Sequence, residues 1–445
     1  MKRALTISLV AAMTCGWLFA GQPKIAPELT RGDSNASVDV IVQFTAAPTE
    51  KHHQKVRDHG GTYKMDLGTI KGAIYSLRAG AIAAQAEDPE VTYISPDRPV
   101  EGMLDYANST VGADIARSYG WGGYGVGVAV IDSGINPVWD LYVGTSSNNN
   151  RIVYNESFLD STRKATDEYG HGTHVAGIVA GNANSATFMQ ATHVFRGIAP
   201  RANLINLRML DKNGAGTDSW VIAAIQRAIA LKSQYNIRVI NLSLGRPVFE
   251  SYTADPLCQA VEAAWKAGIV VVVAAGNSGR DNSAGTSGYA TITAPGNDPY
   301  VITVGAMKTN ATAARADDTI ASYSSKGPTV LDHVVKPDLV APGNRVISLM
   351  VPRSTLQSQS SDNLVPNSYF LNTPSSANSV DYFRLSGTSM ATPMVSGAAA
   401  LLLQKDPSLT PDTVKARLMK SAGKSFPNLQ RRYRRGHRPD VYQPI

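Results

Sequence analysis

The sequence predicts an α/β fold whose central sheet is mostly parallel, and three observations indicate it. The chain has 445 residues, of which 43% are hydrophobic and 17% charged, a globular composition with enough apolar residues for a large core. Short continuous apolar runs alternate with longer amphipathic stretches, as strands alternate with helices in such folds. Polar side chains follow several of the runs, at the places where parallel sheets bind ligands.

The first segment, residues 1–20, has the pattern of a secretory signal. Lys2 and Arg3 precede an apolar run over residues 4–20, which matches the charged and hydrophobic regions of such a signal. The run is shorter than the roughly 20 residues that a membrane-spanning helix needs. We therefore predict a secreted protein without stable membrane association, with a lipoprotein anchored at Cys15 as the alternative.

Charge and cysteine content narrow the class further. The net charge of +7 comes largely from Lys2, Arg3 and the arginines of the last residues, and the chain between is roughly neutral, so nucleic-acid binding is not expected. With Cys15 in the signal, Cys258 is the only remaining cysteine, which excludes an internal disulfide. We predict that Cys258 is a buried residue of a helix.

Residues 21–103 predict a small α+β unit. Three β-branched or apolar segments are expected to be strands, and a segment rich in His and Lys and another rich in Ala are expected to be helices. The predicted strands are Val38–Phe44, Gly72–Leu77 and Val91–Ile94, and the Ala-rich helix includes Ala81–Ala86.

The alternating pattern of the large sheet follows from about residue 126. The predicted strands are Val126–Ile131, Leu204–Leu207, Val239–Leu242 and Ile269–Val273, and the predicted helices include Val221–Leu231 and Leu257–Ala267. The glycine cluster in residues 120–127 could suggest a dinucleotide-binding turn, but such a turn follows a strand and opens a helix. These glycines come before the first strand, so we assign them to an ordinary turn. Two polar segments, 140–169 and 354–381, are predicted to be surface loops.

Two of the motifs at these strand ends contain an acid and an imidazole. Asp132 follows the first strand, where a carboxylate can orient an imidazole, although such an Asp is also a common turn former. His171 begins a predicted helix in Gly170-His171-Gly172-Thr173-His174. His171 and His174 could also be a zinc pair, but no third ligand motif accompanies them.

A third motif, Gly387-Thr388-Ser389-Met390-Ala391-Thr392-Pro393, leads into a predicted helix over residues 394–404. A serine at a helix start is often only a cap. The same position also directs the helix dipole and a free backbone N–H to the space beside its hydroxyl, which favours an oxyanion there.

Together these motifs resemble the subtilisin-like serine proteases, in which Asp, His and Ser occur in this chain order. The resemblance covers residues 105–424 and includes four further segments: Asn241–Gly245, Ala274–Asn277, Ser322–Ser324 and Lys336–Gly343. It implies a three-layer fold with a mostly parallel central sheet, and a serine endopeptidase that needs no cofactor for catalysis. The alternative is a catalytically impaired subtilisin-fold binding protein.

The resemblance also implies roles for individual residues. Ser389 would be the nucleophile, His171 the general base and Asp132 its partner, with the Asn277 side chain and the Ser389 N–H as the oxyanion hole. A polypeptide substrate would bind as an extended strand, and Thr293 would give a shallow primary pocket. The substrate-binding residues would be Gly214, Ala215, Gly216, Ser243, Leu244, Gly245, Ala274, Ala275, Gly276 and Thr293. Asp218 would leave the fourth subsite open or tolerant of basic groups.

By the same resemblance, residues 21–103 would be a ferredoxin-like propeptide that assists folding and inhibits the enzyme until it is cut between Met103 and Leu104. The catalytic domain would cover 104–424, and residues 425–445 would be an atypical basic tail. Asp140 and Asn184 fall where relatives have calcium ligands, so a structural calcium ion is an expectation of the resemblance.

Overall fold

The structure is a computed structural model, and it divides the chain between residues 100 and 101 into two units. It describes residues 24–30, 33–67, 71–96, 103–143, 149–188, 191–372 and 375–424. The predicted signal, 1–20, and the predicted tail, 425–445, lie outside the described residues.

The first unit is an antiparallel sheet with two helices. Its elements are β1 (Ser37–Phe44), α1 (Glu50–Asp58), β2 (Thr62–Leu67), β3 (Gly72–Arg78), α2 (Ile82–Ala86) and β4 (Val91–Pro96). The strand order is β2-β3-β1-β4, and the helices follow β1 and β3, which is the order of ferredoxin-like units. Alternate residues of β1, including Val40 and Val42, are buried in a core that also contains Val56 of α1.

Strand β2 was not predicted from the sequence. Polar and apolar residues alternate in Thr62–Leu67, which is the signal that could have found β2, although almost all of its side chains are exposed. It forms because it pairs with β3 at the edge of the sheet.

The second unit is built on an eight-stranded sheet. Its strands are β5 (Gly127–Asp132), β6 (Ile152–Ser157), β7 (Asn203–Arg208), β8 (Ile237–Leu242), β9 (Val270–Ala274), β10 (Ile302–Lys308), β11 (Thr319–Ile320) and β12 (Leu339–Pro342). The order is β11-β10-β9-β8-β5-β7-β6, with β12 paired to β10, and every pair except β10–β11 is parallel. Every residue of β5 and β9 is buried, which explains why β9 is apolar throughout and β5 is apolar up to Asp132 at its end.

Helices flank this sheet, as the predicted α/β class requires. They are α3 (Met103–Thr110), α4 (Ala113–Ser118), α5 (His171–Ala180), α6 (Asn184–Phe188), α7 (Asp218–Ala230), α8 (Lys232–Tyr235), α9 (Pro256–Lys266), α10 (Thr355–Gln359), α11 (Asn367–Phe370), α12 (Thr388–Lys405) and α13 (Pro411–Ser421). Helices α5 and α12 pack on each other and on the sheet, and α7 and α9 do the same. Helix α12 begins six residues earlier than predicted and continues through Pro393. No helix among the described residues has the length and apolarity needed to cross a membrane.

The prediction of two surface loops was partly wrong. Residues 140–169 contain β6, an edge strand of the large sheet. Residues 354–381 contain β14 (Leu364–Pro366), which joins β13 (Val346–Leu349) and β15 (Asn378–Leu385) in a three-stranded sheet. Phe370 in the same segment is fully buried, and its ring lies 5.7 Å from that of Phe195. The segment 354–381 is therefore anchored in the core through Phe370.

Candidate active site

Asp132 is the last residue of the central strand β5, and its side chain is fully buried. Its Oδ1 accepts hydrogen bonds from the Ser133 backbone N–H at 2.7 Å and from His171 Nδ1 at 2.8 Å. Parallel strands β7 and β8 lie on both sides of β5. The carboxylate is therefore held at the carboxyl edge of the sheet, in contact with the predicted imidazole.

His171 is the first residue of α5, as predicted. Burial lowers the pKa of its imidazole, but the charge of Asp132 and the hydrogen bond from Nδ1 to Asp132 raise it, and the net result is a raised pKa. The bond to Nδ1 leaves Nε2 as the nitrogen that can exchange a proton with another group.

A second carboxylate, Asp167, holds the start of α5, and the sequence analysis missed it. Its oxygens accept hydrogen bonds from the Gly170 N–H at 2.6 Å, the Thr173 N–H at 2.8 Å and the Ser133 hydroxyl at 2.8 Å. Burial raises the pKa of this carboxyl, although these hydrogen bonds oppose the effect. Asp167 thus links the end of β5 to the first turn of α5. An acidic residue four positions before the first residue of a predicted helix is the signal that could have identified Asp167.

His174, considered with His171 as a metal pair, belongs to the core. It is fully buried, and its Nε2 donates to the Phe383 carbonyl at 3.1 Å. Burial lowers the pKa of His174 to about 3, so its ring is neutral. Within the described parts of the chain, no three His, Cys, Asp or Glu residues come together as a metal site.

Ser389 is the second residue of α12 and is paired with Ser243, which directly follows β8. The Ser389 hydroxyl donates to the Ser243 carbonyl at 3.1 Å, and the Ser243 hydroxyl donates to the Ser389 carbonyl at 2.8 Å. In the described residues no hydrogen bond joins Ser389 to His171. Such bonds are often long in enzymes without substrate, and a rotation about the Cα–Cβ bond redirects the hydroxyl.

The two predicted oxyanion donors converge beside Gly387. A Cβ built on Gly387 would lie 3.4 Å from Asn277 Nδ2 and 3.7 Å from the Ser389 backbone nitrogen. Asn277 is oriented by Thr388, whose backbone N–H and hydroxyl donate to Asn277 Oδ1 at 2.9 and 3.1 Å. Because its oxygen accepts these bonds, the Asn277 amide keeps its NH₂ group available as a donor. Thr388 is a positioning residue that the sequence analysis did not identify.

A cleft of about 460 Å³ opens beside His171. Of the predicted substrate-binding residues, the structure brings two segments to this cleft, Gly214–Gly216 and Ser243–Gly245, and the remaining walls include Tyr169, Met209, Leu210, Thr217, Asp218, Val221, Arg246 and Leu257. The segment Ala274–Gly276 is not among its walls. That segment lies next to Thr293, whose backbone N–H donates to the Ala275 carbonyl at 3.1 Å.

The Thr293 side chain fills the space between two glycines of the predicted primary pocket. A Cβ on Gly245 would lie 2.5 Å from Thr293 Oγ1, and a Cβ on Gly276 would lie 2.9 Å from Thr293 Cγ2. Any larger residue at either glycine would therefore collide with Thr293. This placement is consistent with the shallow pocket that the sequence predicts.

Asp218 does not present a free charge at the far end of the cleft. Arg246 Nε donates to both of its carboxylate oxygens, at 3.0 and 2.9 Å, and Arg246 Nη2 also donates to the buried Asp255 at 2.9 Å. The sequence analysis considered Asp218 alone and missed Arg246. The expected tolerance of basic groups at the fourth subsite must therefore arise from Asp218, Arg246 and Asp255 together, which contain two carboxylates and one guanidinium.

Asp140 and Asn184, the expected calcium ligands, do not fit a calcium ion in this arrangement. Asp140 is fully buried, and its two oxygens accept hydrogen bonds from the Ser185 N–H at 2.7 Å and the Tyr382 hydroxyl at 2.9 Å. Burial raises the pKa of this carboxyl, and these bonds only partly oppose it. Asn184 directs its amide nitrogen to the Trp139 carbonyl at 3.3 Å. Calcium takes six to eight oxygen ligands. Here both Asp140 oxygens already accept hydrogen bonds, and Asn184 presents a donor to the Trp139 carbonyl.

Comparisons with known proteins agree with this geometry. The family model described as the subtilase family matches residues 123–436. Serine protease AprX of Bacillus subtilis (strain 168) is 40% identical over 339 residues, which cover 74% of this chain and 68% of that protein. Subtilisin E of the same organism is 32% identical over 96% of both chains. Among solved structures, Sphericase is 28% identical with a TM-score of 0.50, and the match covers 68% of this chain and 84% of that one.

Proposed function

Since this chain belongs to the subtilase family and is a serine endopeptidase, we propose that Asp132, His171 and Ser389 form its catalytic triad. The hydrogen bond of 2.8 Å between His171 Nδ1 and Asp132 Oδ1, at the mouth of the cleft, is the observation that carries the proposal. It leaves His171 Nε2 for the proton of the nucleophile.

The reaction is acyl transfer to a serine hydroxyl. Ser389 Oγ turns from the Ser243 carbonyl toward His171 and attacks the carbonyl carbon of the scissile peptide, while His171 Nε2 takes its proton. Collapse of the tetrahedral intermediate breaks the C–N bond, and His171 returns the proton to the leaving amine. Water then attacks the acyl-enzyme, and His171 again accepts and donates the proton. Asp132 stabilises the imidazolium in both half-reactions.

The negative oxygen of each tetrahedral intermediate binds at the point where Asn277 Nδ2 and the Ser389 N–H converge. Both donors are fixed before substrate arrives, Asn277 by Thr388 and Ser389 by its place in α12. Preorganised donors of this kind need no rearrangement during the reaction, and the loss of one typically costs about 10²–10³-fold in kcat.

Polypeptide substrates bind as an extended strand between the two segments that line the cleft, Gly214–Gly216 and Ser243–Gly245. Backbone pairing on both sides favours flexible or unfolded segments, because only these can adopt the extended form. Thr293 restricts the primary pocket to side chains of medium size. Broad peptide hydrolysis with this limit on the first subsite is the specificity that we propose.

The protein is exported and made as a zymogen. The signal pattern of residues 1–20 supports export, and the β-α-β-β-α-β unit that precedes the catalytic unit supports a propeptide. The proposed cut between Met103 and Leu104 falls at the start of α3. This bond must leave the helix and become extended before a peptidase can cleave it.

The intact mass and N-terminal sequence of the purified protein, expressed without residues 1–20, test this proposal. We expect the wild-type chain to be cut close to Met103, and the Ser389→Ala chain to stay uncut. Ser386→Ala, which removes an exposed hydroxyl three residues away, is the matched control and should mature normally. A Ser389→Ala chain that is cut at the same place in the absence of other peptidases would overturn the assignment of the nucleophile. An uncut, folded wild-type chain would support the impaired binding protein instead.

A further inference from the structure

A pocket of about 620 Å³ in the second unit contains four arginines. They are Arg117, Arg151, Arg196 and Arg201, and the other walls are Tyr124, Gly125, Val143, Asn182, Pro200 and Asn203. No described residue that lines this pocket is acidic, and none of its walls belongs to the catalytic cleft. The proposed peptidase mechanism gives these four charges no role.

Arg151 is the most buried of the four, with 3% of its surface exposed. Its Nη1 and Nη2 donate to the backbone carbonyls of Ala202 and Asp140, at 3.2 and 2.9 Å. Its Nε is buried and has no hydrogen-bond partner among the described residues. A buried N–H of a charged group without an acceptor is costly, so Arg151 gains a hydrogen bond if its guanidinium turns toward an acceptor bound in the pocket.

The partners of the other arginines are also neutral. Arg117 Nη1 donates to the side chain of Asn108 at 3.0 Å, and Arg196 Nε donates to the Asn182 carbonyl at 3.3 Å. Arg201 lies over the ring of Tyr124, with Cζ 4.8 Å from the centroid. Within the described parts of the chain, none of the four arginines forms an ion pair. The positive charge of the pocket is therefore not compensated by its own walls.

The nearest carboxylates are committed elsewhere. Asp140 accepts from Ser185 and Tyr382, as described above, and Asp114 accepts from the Ser109 hydroxyl at 2.9 Å. Burial lowers the pKa of Arg117, and the charge of Arg196 lowers it further, while Asp114 opposes this only partly. Burial likewise lowers the pKa of Arg151 to about 10, and the charge of Asp140 opposes this only partly. Arg117 and Arg196 are thus held close together in spite of their mutual repulsion.

We propose that this pocket binds a small multivalent oxyanion, of the phosphate or sulfate type, either as the free ion or as part of a small ester. Guanidinium groups present planar pairs of N–H donors that match the oxygens of such anions, and several around one cavity can bind different faces of the same group. The volume is within the range of small-ligand sites. The bound anion supplies a negative charge beside guanidinium groups that have no ion pair and offsets the repulsion between Arg117 and Arg196, so it stabilises the folded catalytic unit.

The proposal is tested by isothermal titration and thermal unfolding of the full chain carrying Ser389→Ala, which prevents self-digestion. Phosphate, sulfate and glycerol phosphate are compared with chloride at equal ionic strength. We expect saturable binding of one phosphate or sulfate per chain and a rise in Tm of roughly 2–6 °C at saturation. Tighter binding of the ester than of phosphate would identify an organic ligand, and the reverse order would identify the free ion.

The matched variants separate this pocket from general charge effects. The double variant Arg117→Gln/Arg196→Gln should weaken binding of the anion at least about tenfold. If this double variant does not fold, Arg201→Gln takes its place and should weaken binding by the same factor. Arg163→Gln removes an exposed arginine outside the pocket and should change nothing. The proposal is overturned if no saturable binding occurs, or if the pocket variants and Arg163→Gln respond equally to phosphate.

Discussion

At the level of single residues, the proposed chemistry depends on the charge of one imidazole. His171 can accept the Ser389 proton only when it is neutral, and its pKa is raised above the ordinary value of 6.5 because Asp132 attracts the proton more strongly than burial opposes it. Activity should therefore be low at acidic pH and rise as the pH passes through this raised pKa.

Asp132→Asn tests this dependence. We expect kcat to fall by about 10⁴-fold, since the imidazolium loses its partner charge. The residual activity should persist to lower pH than in the wild type, because the pKa of His171 falls when the carboxylate is removed. The measurement is kcat/KM of a peptide substrate against pH. Asp160→Asn, at an exposed carboxylate, should leave the profile unchanged, and an unchanged acidic limb in Asp132→Asn would contradict the pairing.

Thr293 makes a separate prediction about specificity. Thr293→Gly removes the side chain between Gly245 and Gly276 and deepens the primary pocket. The ratio of kcat/KM for substrates with Phe to those with Val at the first subsite should rise about tenfold or more. Thr253→Gly, an exposed threonine elsewhere, is the control. Wild-type cleavage profiles that already favour large aromatics would show that Thr293 does not limit the pocket.

At the level of elements, the start of α5 must approach β5 closely for His171 to reach Asp132. Gly172 makes this approach possible, because a Cβ there would overlap the Gly134 carbonyl oxygen and lie 3.2 Å from Asp132 Cβ. The Gly172 N–H also donates to the Ser133 hydroxyl at 2.9 Å. The glycine is therefore required by the packing of a helix end against a strand end.

Gly172→Ala should push the first turn of α5 away from β5. We expect a loss of stability of about 1–3 kcal/mol from overpacking, and a fall in kcat of roughly 10²-fold because catalytic groups displaced by about 1 Å lose that much. Gly177→Ala is the matched control: its Cβ would overlap the side chains of Ser348 and Leu349 on β13, far along the helix from His171. Urea denaturation should show a loss for both variants, and active-site-titrated kinetics should show a fall in kcat for Gly172→Ala alone. Equal kcat in both variants would mean that α5 adjusts without moving His171.

At the level of the whole molecule, stability rests on the apolar core. Cys258 is free and buried in α9, as predicted, and burial raises the pKa of its thiol, which makes it unreactive. Strands of the large sheet other than β11, and the helices α5, α7, α9 and α12, contribute to one continuous cluster of buried apolar residues in the second unit. Asp140 adds buried hydrogen bonds to Ser185 and Tyr382 in the same unit.

Removal of calcium should therefore have little effect through the site of Asp140 and Asn184. We expect the Tm of the Ser389→Ala protein to change by less than about 2 °C when EDTA replaces calcium, since binding that does not occur cannot stabilise the folded state. Asp140→Asn provides the comparison: if calcium binds there, this variant should lose the calcium response. A large response in the parent protein that is absent in Asp140→Asn would contradict the fit described above.

The sequence alone was sufficient for features that are encoded locally. Largely apolar runs predicted β5, β8 and β9 because strands covered on both faces have few polar positions, and amphipathic spacing predicted α7 and α9. The motifs around Asp132, His171 and Ser389 predict one site through their resemblance to the subtilisin-like proteases. The structure pairs His171 with Asp132, and the role of Ser389 stays a prediction.

Only the tertiary structure decided which distant groups meet. Strand β14 is only three residues long and β2 has almost no buried side chains, so pairing with neighbouring strands defines them more than burial of their own residues does. Asp167, Thr388 and Arg246 acquire their roles from hydrogen bonds to other segments. Only the folded chain brings together the four arginines of the second pocket, Arg117, Arg151, Arg196 and Arg201. Periodicity reports which side of an element is buried. It carries no information on which buried or charged groups then face each other, because that depends on contacts between residues far apart in the chain.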